Sequence, residues 1–377
     1  MLNKKVMVLL SVLTVMSVLL SACVTQPVAT ATASAPAATE AAVATEAATE
    51  AATVAATEAP AAAASSITVA VVGGGEVGDM GFIDSANEGL KKMASELGVK
   101  TVMITTHDDT SVYLDDLISA AEQADLIFVV PGYYFDEQLK QVMPQYPNKT
   151  FIYVDGTTTQ SGMASLVFKQ NEGAFLAGAL AAMMTTDTTD LSMADSAKVV
   201  GFMGGADMPV IHDYQVGFNQ GAKYAVPDIE VVNQYAGTHT DPVKGKETAL
   251  AMYGKGADII FQAAGPTGVG VFEAAKDAKK YVIGVDSNQK SLAPDNTIAS
   301  MRKNVGDGIY QLTQMYLAGK VKAGETYSFG LAENGVSIDY GEMDPDLVPQ
   351  SVKDKIAEYR QMIIDGKIVV DTYTGSN

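Results

Sequence analysis

Val199-Val200-Gly201-Phe202-Met203-Gly204-Gly205 is an apolar run closed by a glycine pair. Ile259-Ile260-Phe261-Gln262-Ala263-Ala264-Gly265 and Tyr281-Val282-Ile283-Gly284-Val285-Asp286-Ser287 repeat the device downstream. Such runs are too short to be core helices and too continuous for strands with one wet face. They read as parallel strands buried on both faces. The same signal recurs at 67–72, 101–105, 126–130, 151–154, 166–168 and 231–235, and stretches of helical periodicity, such as 85–97 and 172–184, lie between most of the runs. Alternating strands and helices of this kind predict an α/β fold with doubly wound parallel sheets. The series restarts after the helix 172–184 and holds more strands than one such sheet uses, so two lobes are expected. Gly73-Gly74-Gly75, Pro131-Gly132, Asp155-Gly156, Gly204-Gly205, Ala264-Gly265 and Asp286-Ser287 follow strand ends. In open α/β sheets the ligand crevice lies at those carboxyl ends.

Composition narrows the function. The chain has 377 residues with 47% apolar and 18% charged, and its formal charge is 25 − 44 = −19. Such acidity argues against nucleic acid as a partner and against a polybasic membrane surface, since both are anionic. A single Cys excludes an internal disulfide framework and a thiolate zinc site. Three histidines far apart, His107, His212 and His239, do not suggest a metal centre.

That single Cys is Cys23. It follows Lys4-Lys5, an apolar stretch 6–20 and the small residues Ser21-Ala22. This is the layout of an export signal, and Leu20-Ser21-Ala22-Cys23 resembles a bacterial lipobox, in which the cysteine carries the lipid that anchors the protein outside the membrane. Residues 24–66 repeat Thr-Glu-Ala-Ala and read as an acidic tether without an apolar stripe.

Gly73-Gly74-Gly75-Glu76-Val77-Gly78 fits G-x-G-x-x-G after a strand. The acidic residue expected about 20 positions later is displaced: the second strand ends at Thr105-Thr106-His107, and Asp108 comes late. Asp79-Met80-Gly81 also defers the helix to about Ser85. A loop admitting a small ligand is the better reading, with a secreted nucleotide-dependent oxidoreductase as its rival. No G-x-S-x-G, H-E-x-x-H or P-loop is present. Asp155 and Asp286, expected to be exposed at strand ends, suit ligand hydroxyls as well as they suit proton transfer.

Several ordered stretches resemble the basic membrane protein, or PnrA-like, family of substrate-binding lipoproteins of ABC importers. They are Asp79-Met80-Gly81-Phe82, Glu172-Gly173-Ala174-Phe175, Gly201-Phe202-Met203-Gly204-Gly205, Tyr235-Ala236-Gly237-Thr238-His239, Gly256-Ala257-Asp258, Gly284-Val285-Asp286-Ser287-Asn288-Gln289 and Ser300-Met301-Arg302-Lys303. The resemblance implies a type I periplasmic-binding-protein fold, with 67–168 plus 298–325 in a first lobe and 169–297 plus 326–377 in a second, joined by three crossovers. It further implies no catalysis, no cofactor, a nucleoside-like ligand and a membrane permease as partner. A ligand sensor for a membrane signalling partner is an alternative.

Carried over position by position, the resemblance makes Phe82 a stacking ring and His239 its counterpart where relatives place Phe. Gly265 becomes a backbone contact, Asp286 the acceptor of ribose hydroxyls and Lys303 its polar neighbour. Asp79, Asp155 and Tyr133 complete the expected contacts, with Tyr134 beside Tyr133. Two family positions that read the base differ: Gly73 replaces an Asp, and Ile83 an Asn. Ribose recognition is expected to persist while base recognition changes.

Overall fold

The computed structural model describes residues 67–186, 191–195 and 197–375. The expected leader with Cys23 and the tether 24–66 lie outside the described residues. Chain order runs β1 (Thr68–Gly73), α1 (Phe82–Glu96), β2 (Lys100–Thr105), α2 (Tyr113–Gln123), β3 (Leu126–Val130), α3 (Asp136–Val142), β4 (Thr150–Val154), β5 (Ala164–Phe168) and α4 (Gln170–Thr185). It continues β6 (Val199–Gly204), α5 (Pro209–Ala225), β7 (Glu230–Tyr235), α6 (Pro242–Tyr253), β8 (Ile259–Ala263), α7 (Val269–Ala278), β9 (Tyr281–Asp286) and β10 (Thr297–Lys303). The last elements are α8 (Val305–Leu317), β11 (Thr326–Phe329), β12 (Val336–Asp339) and α9 (Gln350–Ile364).

Two six-stranded sheets result, ordered β11-β5-β4-β3-β1-β2 and β12-β10-β9-β8-β6-β7. Every pairing is parallel except β10 with β12. The continuous apolar runs have the predicted cause. In β1 and β3, Val69, Val71, Leu126 and Phe128 face one core, while Ala70, Val72, Ile127 and Val129 face another. Both faces of the sheet are therefore dry. In the second sheet Val200, Phe202, Ile259, Phe261 and Ile283 join the first of these cores, and Met203, Ile260 and Val282 form a separate one. One core thus runs through both lobes. Helix α4 enters it with almost every residue buried, which explains its lack of a polar face.

The chain passes between sheets three times: from β5 into α4, from β10 through α8, which packs on α1, to β11, and from β11 to β12. The crossover count agrees with expectation, but the segment boundaries do not. The expected return of 298–325 to the first lobe holds for α8 only. Strand β10 pairs with β9 and β12 in the second sheet. Conversely β11, expected in the second lobe, pairs with β5 in the first. The reason is that β10 is a second-lobe strand after which the chain crosses to α8, and β11 extends the open edge beyond β5.

Helix α1 also departs from expectation, beginning at Phe82 instead of near Ser85. Asp79 makes the earlier start possible. Its carboxylate accepts from the amides of Gly81 (2.8 Å), Ile83 (2.9 Å) and Asp84 (3.1 Å). Asp84 in turn accepts from Gly78 (2.7 Å) and Met80 (2.9 Å). A helix start leaves its first amides without partners, and a nearby carboxylate satisfies them.

Candidate ligand-binding site

The carboxyl ends of the parallel strands of both sheets border one region, and a cavity of about 410 Å³ lies there. The first lobe lines it with the loop after β1, the start of α1 and the residues following β2, β3 and β4. The second lobe lines it with α5 and the ends of β8, β9 and β10. The volume suits a small molecule.

All eight residues singled out from the sequence line this cavity: Asp79, Phe82, Tyr133, Asp155, His239, Gly265, Asp286 and Lys303. They differ in availability. Asp79 is the weakest of the expected ligand contacts, because its two oxygens are taken by the three amides of the α1 cap. Its carboxyl is pushed up by burial, against those hydrogen bonds. The cap also bears on the dinucleotide reading. With the amides of Gly78, Met80, Gly81, Ile83 and Asp84 bonded within the loop, the usual seat of a pyrophosphate at a helix start is filled.

Asp286 ends β9 in a left-handed conformation, φ 65°. It is buried, not exposed as the sequence suggested, and Tyr214 donates to its Oδ1 at 3.4 Å. Burial raises its carboxyl to about 7; Asp79 and Asp155 add to the rise, and Lys303 and the Tyr214 hydroxyl oppose it. Asp155 follows β4 with φ 66° and is likewise enclosed, paired with Lys303 at the end of β10. This ion pair joins the two lobes. Burial pushes the Asp155 carboxyl up, against the pull of Lys303. The Lys303 ammonium also lies 5.3 Å from the ring centre of Phe82, 5.5 Å from that of Phe168 and 5.6 Å from that of Tyr214. Aromatic faces attract a cation at this range, so the lysine is held from several sides.

His239 lies on the loop after β7, where Gly205 makes room for it. A Cβ at Gly205 would stand 2.3 Å from His239 Cδ2. Burial pushes the imidazole down, which favours a neutral ring at pH 7. Gly265 has φ 55°, a backbone region that glycine enters without steric cost. Tyr133 meets Tyr134 edge-on at 5.1 Å, and burial beside Asp155 drives the Tyr133 hydroxyl far up, so it remains a donor.

The expected base-reading positions behave differently. Gly73 is absent from the cavity lining, while Ile83 is part of it. A Cβ at Gly73 would lie 3.2 Å from Ile83 Cδ1. Ile83 therefore occupies the space a side chain at 73 would need, and the two differences form one apolar replacement.

Three contributors escaped the sequence reading. Tyr214 projects from α5, and its apolar ring looked like any core aromatic. Ser287 and Gln289 both donate to the carbonyl of Met80, Gln289 at 2.9 Å, and so bridge second lobe to first. Their position straight after Asp286 was the available signal. Gln289 is fixed by bonds to Gln262 (2.9 Å), the Val285 amide (2.9 Å) and Ser300 (3.0 Å).

A family profile described as "ABC transporter substrate-binding protein PnrA-like" matches residues 66–372. The chain belongs to that family. Among its relatives, Basic membrane protein A of Borreliella afzelii is 31% identical over 309 residues, 80% of this chain and 90% of the relative. The CD4+ T-cell-stimulating antigen of Listeria monocytogenes is 33% identical over 331 residues, covering 82% and 89%. Of solved structures, an ABC transporter solute-binding protein from Aeropyrum pernix K1 superposes with a TM-score of 0.70 at 27% identity, covering 82% of this chain and 94% of that one. The PnrA-like family consists of substrate-binding proteins, and its architecture is the two-lobed α/β fold described above. Among the described residues no helix is long and apolar enough to cross a membrane.

Proposed function

We propose that this PnrA-like protein is a lipid-anchored receptor on the extracytoplasmic side of the cell membrane. It closes its lobes around a nucleoside and presents it to the permease of an ABC importer. The observation that carries the reading is Asp286, a buried carboxylate in the cavity whose one side-chain hydrogen bond among the described residues is the 3.4 Å contact from the Tyr214 hydroxyl. Two acceptor oxygens suit two neighbouring hydroxyls, as on a ribose. Phe82 and His239 come from opposite lobes and provide flat surfaces for a base.

Charge supports a nucleoside over a nucleotide. The lining holds Glu76, Asp79, Asp108, Asp155 and Asp286 against one lysine, Lys303, which Asp155 already pairs. A phosphate in that enclosure would meet uncompensated negative charge at low dielectric. The lipid anchor rests on Leu20-Ser21-Ala22-Cys23, where the one thiol of the chain stands.

The test is titration calorimetry against ribonucleosides, their 2′- and 3′-deoxy forms, free bases, ribose and nucleoside monophosphates, with chromatography of the recovered ligand. Binding of ribonucleosides, weaker binding of deoxy forms, rejection of monophosphates and recovery of unaltered ligand is the expected result. Tight binding of monophosphates, or conversion of the ligand, would overturn the proposal.

A further inference from the structure

The side chains expected to read the base are missing from 73 and 83, yet the first lobe brings another polar group to the same end of the cavity. Asp108 lies just beyond β2, the strand beside β1, and lines the cavity with Glu76, Val77 and Ile83. Its backbone is held in an unusual shape. His107 and Asp108 are consecutive non-glycine residues in the left-handed region, φ 52° and 56°. That conformation costs L-residues free energy and persists where the surroundings impose it. Here Gly73, which ends β1, and Gly74 after it hold the turn in place. The Asp108 amide donates to Gly74 O at 2.9 Å, the Thr106 amide to Gly73 O at 3.0 Å and the Thr106 hydroxyl to Gly74 O at 2.9 Å. Gly74 is also bare enough for Tyr134 to lie against it, since a Cβ there would be 2.5 Å from Tyr134 Cδ2. The turn is thereby clipped to the end of β1, next to the loop that lines the cavity.

Among the carboxylates of the lining, the solvent-exposed Asp108 is the one without a hydrogen bond or ion pair to another described residue. Asp79 is held by three amides, Asp155 by Lys303, and Asp286 receives Tyr214. Glu76 faces His107 at 3.7 Å. Asp108 has no side-chain hydrogen bond or ion pair among the described residues. Nearby in the lining, Val77 and Ile83 are apolar, Glu76 is another acceptor, and the Tyr134 hydroxyl is the neighbouring donor.

We propose that Asp108 is the group that reads the ring of the ligand, and that the ring is one presenting adjacent N–H donors to it, as the N1–H and 2-amino edge of a guanine-type base does. This rests on the nucleoside reading above and narrows it. A carboxylate pairs with two parallel donors through both oxygens. An adenine edge offers one amino donor beside a bare ring nitrogen, whose lone pair faces the carboxylate unfavourably. Ile83 and Val77 make no polar contact of their own, so the carboxylate of Asp108 sets the preference.

Calorimetry with guanosine, adenosine and 1-methylguanosine, on the native sequence and on Asp108→Asn and Asp108→Gly, tests this. Asparagine and glycine both accept left-handed backbone, and thermal unfolding of each variant verifies the fold. In the native protein guanosine should bind at least about tenfold more tightly than either of the others, the size expected of hydrogen bonds to a charged group. In both variants that ratio should shrink to within roughly threefold, while the preference for ribose over 3′-deoxyribose stays. Adenosine binding as tightly as guanosine in the native protein, or variants keeping the ratio, would overturn the assignment of Asp108 and leave the nucleoside reading standing. Failure of every ribonucleoside to bind would overturn both.

Discussion

The two lobes share one plan and give the cavity different chemistry. Strand orders β2-β1-β3-β4-β5 and β7-β6-β8-β9-β10 are the same winding, yet the first lobe lines the cavity with rings and an apolar wall, Phe82, Ile83, Tyr133 and Tyr134, and with carboxylates carried on loops, Glu76, Asp79, Asp108 and Asp155. The second lobe offers the polar grip of Asp286, Lys303 and Tyr214. The difference arises at strand ends. In the first lobe β1 and β3 close in small or apolar residues, Gly73 and Val130, and the loops after the strands carry both the aromatics and the carboxylates. In the second, β9 and β10 end in Asp286 and Lys303 themselves, so charge is set on the rigid sheet. Under the proposed reading, precise hydroxyl recognition belongs to the rigid half and ring recognition to the loops.

The sharpest break of this comparison removes the ion pair between halves. Lys303→Met leaves Asp155 buried without its cation, and breaking such a pair costs about 3–5 kcal/mol. Thermal or denaturant unfolding should show the loss, and Asp155→Asn in the same chain should restore much of it. A single variant as stable as the native protein would mean the pair does not hold the lobes.

Phe82→Ala should weaken an aromatic ligand by about 1–3 kcal/mol, the range for base stacking. Calorimetry should show the deficit on every base alike, because a ring face does not read edges. A deficit confined to one base would move Phe82 from the stacking role to an edge role.

The grip of the second lobe should depend on pH with a calculable sign. The folded-state pKa of Asp286, about 7, lies above its ordinary value, so the folded state holds its proton more tightly than the unfolded state does. The contribution of Asp286 to stability is therefore lost as pH rises from about 4 towards 7. Asp286→Asn should raise the melting temperature of the unliganded protein at pH 7.5 and above, by the equivalent of roughly 1 kcal/mol or more. Ribose hydroxyls favour the ionised carboxylate, so affinity should fall as pH drops through about 7. Melting curves and calorimetry from pH 5 to 8.5 check both, and an affinity rising towards acid would reverse the assigned state. His239, held neutral by burial, should add little across that range.

The smallest effect concerns closure. Ser287→Ala removes one of two donors to the Met80 carbonyl, and should weaken binding by about 0.5–1.5 kcal/mol through the lobe-to-lobe contact alone. Small-angle scattering of the liganded form should shift modestly towards a larger radius. No change in either would show that Gln289 suffices.

Much of this was legible because parallel strands advertise themselves. Nine strands stood out as apolar runs, and their ends pointed to the cavity without any motif. The three that did not stand out have physical reasons. Strand β10, Thr297–Lys303, buries Thr297, Ser300 and Lys303, because it feeds polar groups to Gln289 and to the site, so its hydrophobic signal is broken. Strands β11 and β12 have four residues each and lie at sheet edges, where little apolar surface is needed. Burial of Asp155 and Asp286 was also hidden, since enclosure comes from the meeting of distant loops. Tyr214 reaches the site from the face of a helix, and Asp108 through a turn clipped to glycines that are distant in sequence. Neither relation leaves a local pattern.

The most direct test is a double-mutant cycle between Asp286 and a ribose hydroxyl. The native protein and Asp286→Asn are each titrated with a ribonucleoside and its 3′-deoxy form at pH 8. The account predicts that losing the hydroxyl costs the native protein about 1.5–3 kcal/mol and the variant much less, a coupling between carboxylate and hydroxyl. Equal costs in the two proteins, giving no coupling, would contradict a buried carboxylate that grips the sugar.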